Sequence, residues 1–365
     1  MFKLHVIQAQ YGDSLLLEFG DENSPSFILI DGGPPGVYNN SLRRELVRIM
    51  GDHAELEAVI VSHVDIDHIK GILDFLAELQ SQKDNGEAYF IKVKQLWLNT
   101  FTETIDKSGT YAERLNDIFA IAGANNVMMA SSSIALNGVK EGDTLTRYCS
   151  FLEIPLNPGA YKETFMAGSK QQDIVFSNLT FCITGPTPEN LKELKDEWEA
   201  WLAKQEKAIS DGLYDILSMS DKSIPNLSSI SFVVNSGSKT ILFTGDCRGD
   251  HLFTGLKTKG LLKNGKYHVN VLKVPHHGSD RNQDLNFFRK ITADTYVISA
   301  NGKHGNPDFE TLEWIVKAAH ESERSISIIV TNKTESTQRL VESYPPAEFG
   351  YTIDFIADGA FSIEV

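Results

Sequence analysis

Cysteine is scarce in this chain, with 3 among 365 residues, at positions 149, 182 and 247. Their spacing matches neither a disulfide framework nor a cysteine zinc motif, which argues against a small secreted scaffold held by disulfides. No apolar run approaches the roughly 20 residues that a membrane helix needs. The first residues run directly into a strand pattern, without the charged and apolar regions of a secretory signal. These absences predict a cytoplasmic protein without membrane contacts.

Basic residues are also in short supply. Lysine and arginine number 34 against 49 aspartates and glutamates, which gives a formal net charge of −15. Proteins that hold long nucleic acids non-specifically carry basic stripes that displace counterions. The acidic balance therefore disfavours binding of bulk DNA. A small nucleotide, a short end, or a nucleic acid delivered by a protein partner stays possible, as does a homo-oligomer.

What is present suffices for a large buried core, because 41% of the 365 residues are hydrophobic. Strand patterns near both ends of the chain predict one domain over residues 1–365. Two stretches of weaker periodicity, at about 101–170 and 186–226, predict insertions in that domain. We expect one helix in each of them, at 111–122 and 191–209, with the tryptophans of the second helix in core packing.

Local patterns predict the other elements. The main predicted strands cover 3–8, 14–19, 26–30, 58–61, 93–98, 229–234, 240–243, 271–274, 295–299, 325–330 and 351–355. Three further helices are expected at 41–50, 69–79 and 308–320, the first with Ser41 as its N-cap. The helix over 69–79 would point the positive end of its dipole at the residues that precede it.

Those preceding residues are the most informative part of the chain. Residues 62–68 read SHVDIDH and follow the apolar run that ends at Val61. A strand that ends in clustered imidazoles and carboxylates brings metal ligands to one point, and this mixture suits zinc, manganese or iron. The alternative is an exposed polar loop with incidental histidines.

Two further strands end in the same residue types. Residues 241–246 read ILFTGD, and residues 269–279 read VNVLKVPHHGS. The glycine of the first motif lets the backbone turn, so that Asp246 projects from the strand end. One aspartate after Thr-Gly is usually a turn residue, and one histidine pair is often a surface accident. The three motifs together predict a common ion site. Cys247, beside Asp246, is better explained as a small filler than as a ligand or nucleophile.

As a set, these motifs resemble the metallo-β-lactamase superfamily of hydrolases. Residues 63–68 read HVDIDH, where that family usually has HxHxDH. Further motifs of the family are matched by FTGD, KVPHHGS and an early FILIDGG. The likeness spans about residues 4–309 and is greatest to the competence-type branch, the nuclease-like domain of DNA-uptake proteins and its stand-alone relatives. It implies an α/β fold, a four-layered αββα sandwich with helical insertions.

The resemblance also implies two sites for divalent ions, zinc or manganese. It assigns Asp67, His68, Asp246 and His276 to one site, and His63, Asp65 and again Asp246 to the other. Two departures weaken the second site: Asp65 replaces the usual middle histidine, and no histidine lies between His68 and His251. One or two ions are therefore expected, and whether His276 or His277 is the ligand stays open.

Further residues receive supporting roles. Asp31 is either a carboxylate that orients a ligand histidine or a turn residue before Gly-Gly. His277, Ser279 and His304 are candidates for binding or protonating the leaving group. The related branch has a histidine where Asn306 stands, so Asn306 could supply a hydrogen bond there instead.

The function expected from these residues is hydrolysis of a phosphodiester, in a nucleic acid or nucleotide, by a metal-bound hydroxide with Asp67 at the reacting centre. One alternative is a zinc hydrolase of a thioester, lactone or amide. Another is a nucleotide-binding sensor or effector subunit of a defence-type complex. The fold by itself does not choose among them.

Overall fold

Two β-sheets form the centre of the molecule. The computed structural model describes residues 1–124, 134–162, 164–168, 172–210, 228–356 and 358–365. The strands are β1 (Phe2–Ile7), β2 (Leu15–Asp21), β3 (Ser24–Ile30), β4 (Ala54–Ile60), β5 (Ile91–Val93), β6 (Leu96–Trp97), β7 (Ile174–Phe176), β8 (Leu179–Gly185), β9 (Ser231–Ser236), β10 (Lys239–Phe243), β11 (Tyr267–Lys273), β12 (Ile291–Ile298), β13 (Ile326–Val330), β14 (Tyr351–Phe355) and β15 (Ala360–Glu364).

Helices lie between and after these strands. The α-helices are α1 (Arg43–Met50), α2 (Ile66–Asp84), α3 (Phe101–Thr104), α4 (Thr110–Ala124), α5 (Ile134–Leu152), α6 (Pro188–Ser210), α7 (Gly249–Thr258), α8 (Leu285–Lys290), α9 (Phe309–His320), α10 (Glu335–Ser343) and α11 (Pro346–Phe349). None of the helices in the described part of the chain is both long enough and apolar enough to cross a membrane.

The sheet order brings several parallel strands together. The first sheet runs β15-β1-β2-β3-β4-β5, with β6 also paired to β4, and the second runs β14-β13-β12-β11-β10-β9-β8-β7. β3 and β4 are parallel, as are β10, β11 and β12. Neighbouring parallel strands end at the same edge of a sheet. The loops after these five strands can therefore carry side chains to shared positions.

Apolar side chains fill the space between the two sheets. Leu4 and Ile28 of the first sheet share one buried cluster with Phe232 and Ile241 of the second. Leu16 points to the opposite face of the first sheet and joins a different cluster. Each sheet is thus apolar on both faces, which explains why most strands read as nearly continuous hydrophobic runs.

Helices cover the two outer faces. α1, α2 and α5 pack on the first sheet, and α7, α8, α9 and α10 pack on the second. The layers therefore follow one another as helix, sheet, sheet, helix. This order confirms the predicted α/β class and the four-layered αββα sandwich.

The predicted start of the first helix is wrong. α1 begins at Arg43, and a π-helical turn over Tyr38–Leu42 precedes it. Ser41 lies inside that turn, and its hydroxyl donates a hydrogen bond to the carbonyl oxygen of Gln8 at 2.7 Å. The hydroxyl serves a contact with the β1–β2 loop, so it does not cap the helix.

Two other helix predictions need correction. α2 begins at Ile66, earlier than expected, which places Asp67 and His68 in its first turn. Region 101–170 holds α3, α4 and α5 instead of one helix, and Leu145 of α5 belongs to the core that includes α2. Parts of the two expected insertions, at 125–133, 163, 169–170 and 211–226, lie outside the described residues.

The helix predicted over 191–209 is present as α6. Its Leu194, Trp198 and Leu202 pack with Leu115 and Ile118 of α4 in a separate apolar cluster. Trp198 is 3% exposed. The tryptophan is therefore a packing residue, as expected.

Candidate metal centre

Strand ends from both sheets meet at one edge of the sandwich. Asp31 directly follows β3, and His63 lies three residues beyond the end of β4. From the second sheet, Asp246 follows β10 and His277 follows β11. The two sheets come into contact here, because Nε2 of His68 lies 3.3 Å from Oδ1 of Asp246. The structure thus brings together the three motifs singled out in the sequence.

Close backbone packing carries the first turn of α2 into this position. The amide of Gly32 donates a hydrogen bond to the carbonyl oxygen of His68 at 2.8 Å. The amide of Gly71 donates to the carbonyl oxygen of Gly33 at 2.9 Å. A Cβ atom at Gly71 would lie 1.9 Å from the carbonyl oxygen of Gly32. Only glycine permits this approach. As a result, the positive end of the α2 dipole lies near the clustered carboxylates.

Asp246 stands between two pairs of histidines. Its Oδ1 lies 3.3 Å from Nε2 of His68 and 3.6 Å from Nε2 of His277. Its Oδ2 lies 3.7 Å from Nε2 of His63 and 3.6 Å from Nε2 of His276. The two oxygens of one carboxylate therefore face two separate sets of imidazole nitrogens.

Each set includes a further carboxylate. The Asp67 side consists of Asp67, His68 and His277, and the Asp65 side consists of His63, Asp65 and His276. On the Asp67 side, Oδ2 of Asp67 is 3.4 Å from Nε2 of His277, which is 3.2 Å from Nε2 of His68. On the Asp65 side, Oδ2 of Asp65 is 3.6 Å from Nε2 of His63. Ligands 2.0–2.1 Å from one tetrahedral ion are about 3.3 Å apart, and the spacings on the Asp67 side are close to this value.

The arrangement of the adjacent histidines differs from the expected one. The resemblance assigned His276 to the site of Asp67 and His68, whereas the structure has His277 there and His276 on the Asp65 side. Both histidines have positive φ angles, 48° and 54°. This left-handed turn sends successive imidazoles to opposite sides of Asp246. The Asp65 side thereby gains the second imidazole that the sequence did not supply elsewhere.

Asp31 orients the histidines near β3 and β4. Its Oδ1 accepts from the amide of Ser62 at 2.7 Å, and its Oδ2 accepts from the Ser62 hydroxyl at 2.7 Å. The same Oδ2 lies 2.9 Å from Nδ1 of His68. The Ser62 hydroxyl oxygen is 3.1 Å from Nδ1 of His63 and is positioned to accept its proton. Asp31 thus contacts a candidate ligand histidine, so it is not only a turn residue.

The other two histidines also have acceptors at Nδ1. Nδ1 of His277 is 2.9 Å from the carbonyl oxygen of Ser299, and Nδ1 of His276 is 2.6 Å from Oδ1 of Asn282. An acceptor at Nδ1 favours the tautomer that carries its proton there and leaves Nε2 free for a metal ion. All four imidazoles of the cluster are arranged in this way.

Charge and burial act in opposite directions on these groups. Burial alone would raise the pKa of Asp246, but the charges of His277 and His68 outweigh it and hold that pKa well below its usual range. Burial likewise opposes protonation of His68, but Asp246 and Asp31 raise its pKa well above the usual value. Asp246 and Asp13 raise the pKa of His277 against the same burial penalty. Without an ion, the site therefore favours an ionised Asp246 and protonated His68 and His277.

Several buried ligand atoms form no hydrogen bond with any described residue. They are Nε2 of His63, Oδ1 of Asp65 and Oδ1 of Asp246. A buried polar atom without a partner costs about 1–3 kcal/mol, and more when it is charged. A cation between these atoms would remove that cost. The buried Asp/His cluster around Asp246 can therefore bind a metal ion.

Asp13 was not identified from the sequence. It lies with His68, Asp246 and His277 in a group whose ligand-type atoms are all within 4.8 Å of one another. Its nearest imidazole atoms, however, are Nδ1 of His277 at 3.6 Å and Nδ1 of His68 at 3.9 Å. Asp13 therefore lies behind the histidines, on the side away from their free Nε2 atoms.

Lys273 is the partner of Asp13. Its Nζ lies 2.6 Å from Oδ2 of Asp13, and the lysine side chain is 1% exposed. Lys273 is therefore a buried, paired lysine and not a solvated one. Asp13 reaches the site because Gly12, whose Cβ would lie 1.9 Å from the carbonyl oxygen of Asp67, lets the β1–β2 loop pass close to α2. A loop contact of this kind has no local sequence signal.

The remaining candidate residues have different positions. The amide of Ser279 and the side-chain amide of Asn306 both donate to the carbonyl oxygen of His276, at 2.9 and 3.4 Å. These two hydrogen bonds stabilise the backbone turn that contains His276 and His277. His304 lies in an exposed turn, with its ring centroid 6.3 Å from that of Tyr11. Roles for these residues at the leaving group stay predictions.

Cys247 is buried among the apolar side chains that pack on the second sheet. Burial raises the pKa of its thiol to about 12. At neutral pH the residue is a thiol, and it is neither a nucleophile nor a thiolate ligand. This supports its interpretation as a small filler.

No family model matches the sequence, and neither does any curated protein. One similar solved structure is the crystal structure of a new diphosphatase from the PhnP family. It is 10% identical, and the alignment covers 100% of this chain and 98% of that chain with a TM-score of 0.38. The four layers and the buried His/Asp cluster agree with the resemblance to the metallo-β-lactamase superfamily, whereas membership of the competence-type branch stays a prediction.

Proposed function

We propose that this chain is a metal-dependent hydrolase that cleaves phosphodiester bonds with two divalent ions, one on each side of Asp246. The proposal rests on the orientation of the Asp246 carboxylate. Its Oδ1 faces His68 and His277, and its Oδ2 faces His63 and His276. A carboxylate shared in this way is suited to bridging two ions, and paired ions are a common device for displacement at phosphorus.

The residues of the Asp67 side would hold one ion and those of the Asp65 side the other, with Asp246 common to both. When bound, such ions lower the pKa of a coordinated water and polarise an oxygen of the substrate. Three carboxylates among the candidate ligands favour harder ions than an all-histidine site does. Manganese and zinc both remain candidates.

The exposure of the candidate ligands favours one side for the approach of substrate. The side chains of Asp67 and His276 are 23% and 27% exposed, whereas those of His68 and Asp246 are 0% and 3% exposed. A scissile phosphate would therefore approach between Asp67 and His276. Burial opposes ionisation of Asp67, but its hydrogen bond with His277 and the charge of His68 hold its pKa below the usual range. Asp67 stays ionised at neutral pH and is placed to accept a hydrogen bond from the attacking water.

Hydrolysis assays test this proposal directly. Purified protein, stripped of metal and reloaded with Mn²⁺ or Zn²⁺, is expected to hydrolyse bis-p-nitrophenyl phosphate and at least one of single-stranded DNA and a cyclic dinucleotide. Asp67→Ala and His68→Ala should abolish that activity. Asp74→Ala is the matched control, because Asp74 is on the same helix and pairs with Lys70 on its surface.

Three outcomes would overturn the proposal. Activity that survives Asp67→Ala or His68→Ala comes from a contaminant or from another site. Turnover of thioesters, lactones or amides alone would identify the zinc hydrolase alternative. If the metal-loaded protein turns over none of these substrates and still binds nucleotides, the sensor alternative is favoured.

A further inference from the structure

A cavity of about 500 Å³ opens beside the candidate metal centre, between the start of α7 and the segment that leads into α8. Asn282 forms part of its wall. The same residue reaches the metal centre, because its Oδ1 is 2.6 Å from Nδ1 of His276 and its Nδ2 is 3.4 Å from the carbonyl oxygen of Asp246. The side chain of Asn282 therefore separates the cavity from the Asp65 side.

The cavity is lined by an excess of positive charge. Arg281 and Lys290 both line it, and neither forms an ion pair with any residue that the structure describes. Arg248 also lines it, so three cationic side chains face the two carboxylates of Asp250 and Asp284, and the lining has a net charge of +1. Asp250 is held by Arg248 at 2.8 Å, and Asp284 accepts from the amide of Phe287 at 2.7 Å as the N-cap of α8.

This charge stands out because the chain as a whole carries −15. Unpaired cations in a concave surface raise the local concentration of anions, and they act even when the rest of the surface is acidic. A local positive funnel is what an acidic protein needs in order to bind a polyanionic substrate. The acidic net charge, which disfavours nucleic-acid binding, is therefore locally offset at the cavity beside the metal centre.

An aromatic ring also lines the cavity. Phe253 lines it and is half-buried, and Nζ of Lys290 lies 4.9 Å from the centroid of its ring. A phenyl face beside ammonium and guanidinium groups suits a ligand that is partly flat and apolar and partly anionic. Nucleotides have this combination, because a base is joined to a phosphate by a sugar.

We infer that the cavity binds the nucleotide next to the scissile bond, with its phosphate at Arg281 and Lys290 and its base against Phe253. This inference rests on the proposed function and specifies its substrate. The preferred substrate is a nucleotide chain with at least one phosphate besides the one that is cleaved. A small diester with a single phosphate reaches the metal centre but leaves the cavity empty.

The test compares two substrates in the metal-loaded protein. The double variant Arg281→Ala/Lys290→Ala is expected to raise KM for single-stranded pentathymidylate about tenfold, with kcat unchanged within about twofold, and to lower the salt dependence of its binding by about two charges. KM for bis-p-nitrophenyl phosphate should not change. Arg289→Ala is the matched control, because Arg289 neighbours Lys290 but pairs with Glu321 outside the cavity.

An unchanged KM for pentathymidylate in the double variant would overturn the inference, as would a parallel rise in KM for both substrates. Failure of the proposed function has a different signature, because the wild-type protein then cleaves neither substrate. In that case, binding of labelled pentathymidylate, measured by fluorescence anisotropy, tests the cavity as a nucleotide site independently of catalysis. Weaker binding by the double variant than by the Arg289→Ala variant supports the cavity as a nucleotide site, and equal binding refutes it.

Discussion

The ammonium group of Lys273 lies 2.6 Å from the carboxylate of Asp13, and the two side chains are 1% and 2% exposed. Two opposite charges are thus buried together directly behind His68 and His277. Removing one partner of such a pair leaves the other charge without compensation, whereas replacing both by apolar groups often costs little.

We therefore expect Lys273→Met to destabilise the metal-free protein by about 3–5 kcal/mol. Adding Asp13→Leu to that variant should recover most of the loss. Urea unfolding in the presence of a chelator measures both effects. Lys94→Met is the control: its ion pair with Glu57 is 45% exposed on the lysine side and is worth less than about 1 kcal/mol. A single variant as stable as the wild type would contradict this account of the pair.

The shared carboxylate predicts how many ions each variant retains. Asp246→Asn should lose both ions, because each side would lose an anionic ligand and the repulsion between neighbouring cations would no longer be offset. Asp65→Asn should lose only the ion of the Asp65 side. Metal content after dialysis, measured by mass spectrometry, gives the number of ions per chain. Two ions retained by Asp246→Asn would rule out a bridging role.

Asp31 predicts a loss of metal affinity without loss of the fold. In Asp31→Asn, Oδ1 can still accept from the amide of Ser62, but an amide NH₂ replaces the oxygen that faces Nδ1 of His68. His68 would then favour the tautomer with its proton on Nε2, the atom that faces Asp246. We expect metal affinity on the Asp67 side to fall about 10–100-fold in a competition assay with a chelator.

The control for this variant is Asp74→Asn, which lies on the surface of α2 and pairs with Lys70. Its metal affinity should equal that of the wild type. Equal affinity in Asp31→Asn as well would mean that His68 does not depend on Asp31 for its orientation. Thermal unfolding of both variants without metal separates an effect on binding from an effect on folding.

Protonation of the histidines predicts pH-dependent metal binding. The pKa values of His68 and His277 are raised in the metal-free site, where Asp246 outweighs the effect of their burial. Their Nδ1 protons face acceptors, so the additional proton occupies Nε2 and competes with the ion. As pH falls below these raised pKa values, affinity should fall by up to about tenfold per pH unit for each proton displaced.

Calorimetry in two buffers with different ionisation enthalpies measures the protons released on binding. We expect proton release near neutral pH, and weaker affinity at about pH 5 than at about pH 8. An affinity that does not change with pH would show that these imidazoles are not ligands. The Asp31→Asn variant should keep the same direction of pH dependence.

Elements with a strong local period could be predicted from the sequence. Strand 351–355 was predicted with the bounds that the structure shows for β14, and helix 308–320 differs from α9 by one residue. Their patterns depend on neighbouring residues, which one short window contains. α5 was missed because its apolar positions become meaningful only against α2, which lies far away along the chain.

The candidate ligands were likewise identified because they adjoin strand ends. What the sequence did not reveal is which of two adjacent histidines joins which group. The φ angles of His276 and His277 decide this, and the surrounding loops determine those angles. Asn282 and Asp13 were missed for a similar reason, since each reaches the centre from its own loop.

Residue order alone therefore specified most of the strands and the metal-binding character of the loops that follow them, because these depend on short-range periodicity and on side-chain chemistry. It did not predict β7, β8 or β15, and it merged β5 and β6 into one strand. Folding decided the division of ligands around Asp246, the buried charge pair behind them and the cationic cavity beside them. These features join residues that are distant in the chain, and they arise only when two sheets bury their apolar faces against each other and bring their loops to one edge.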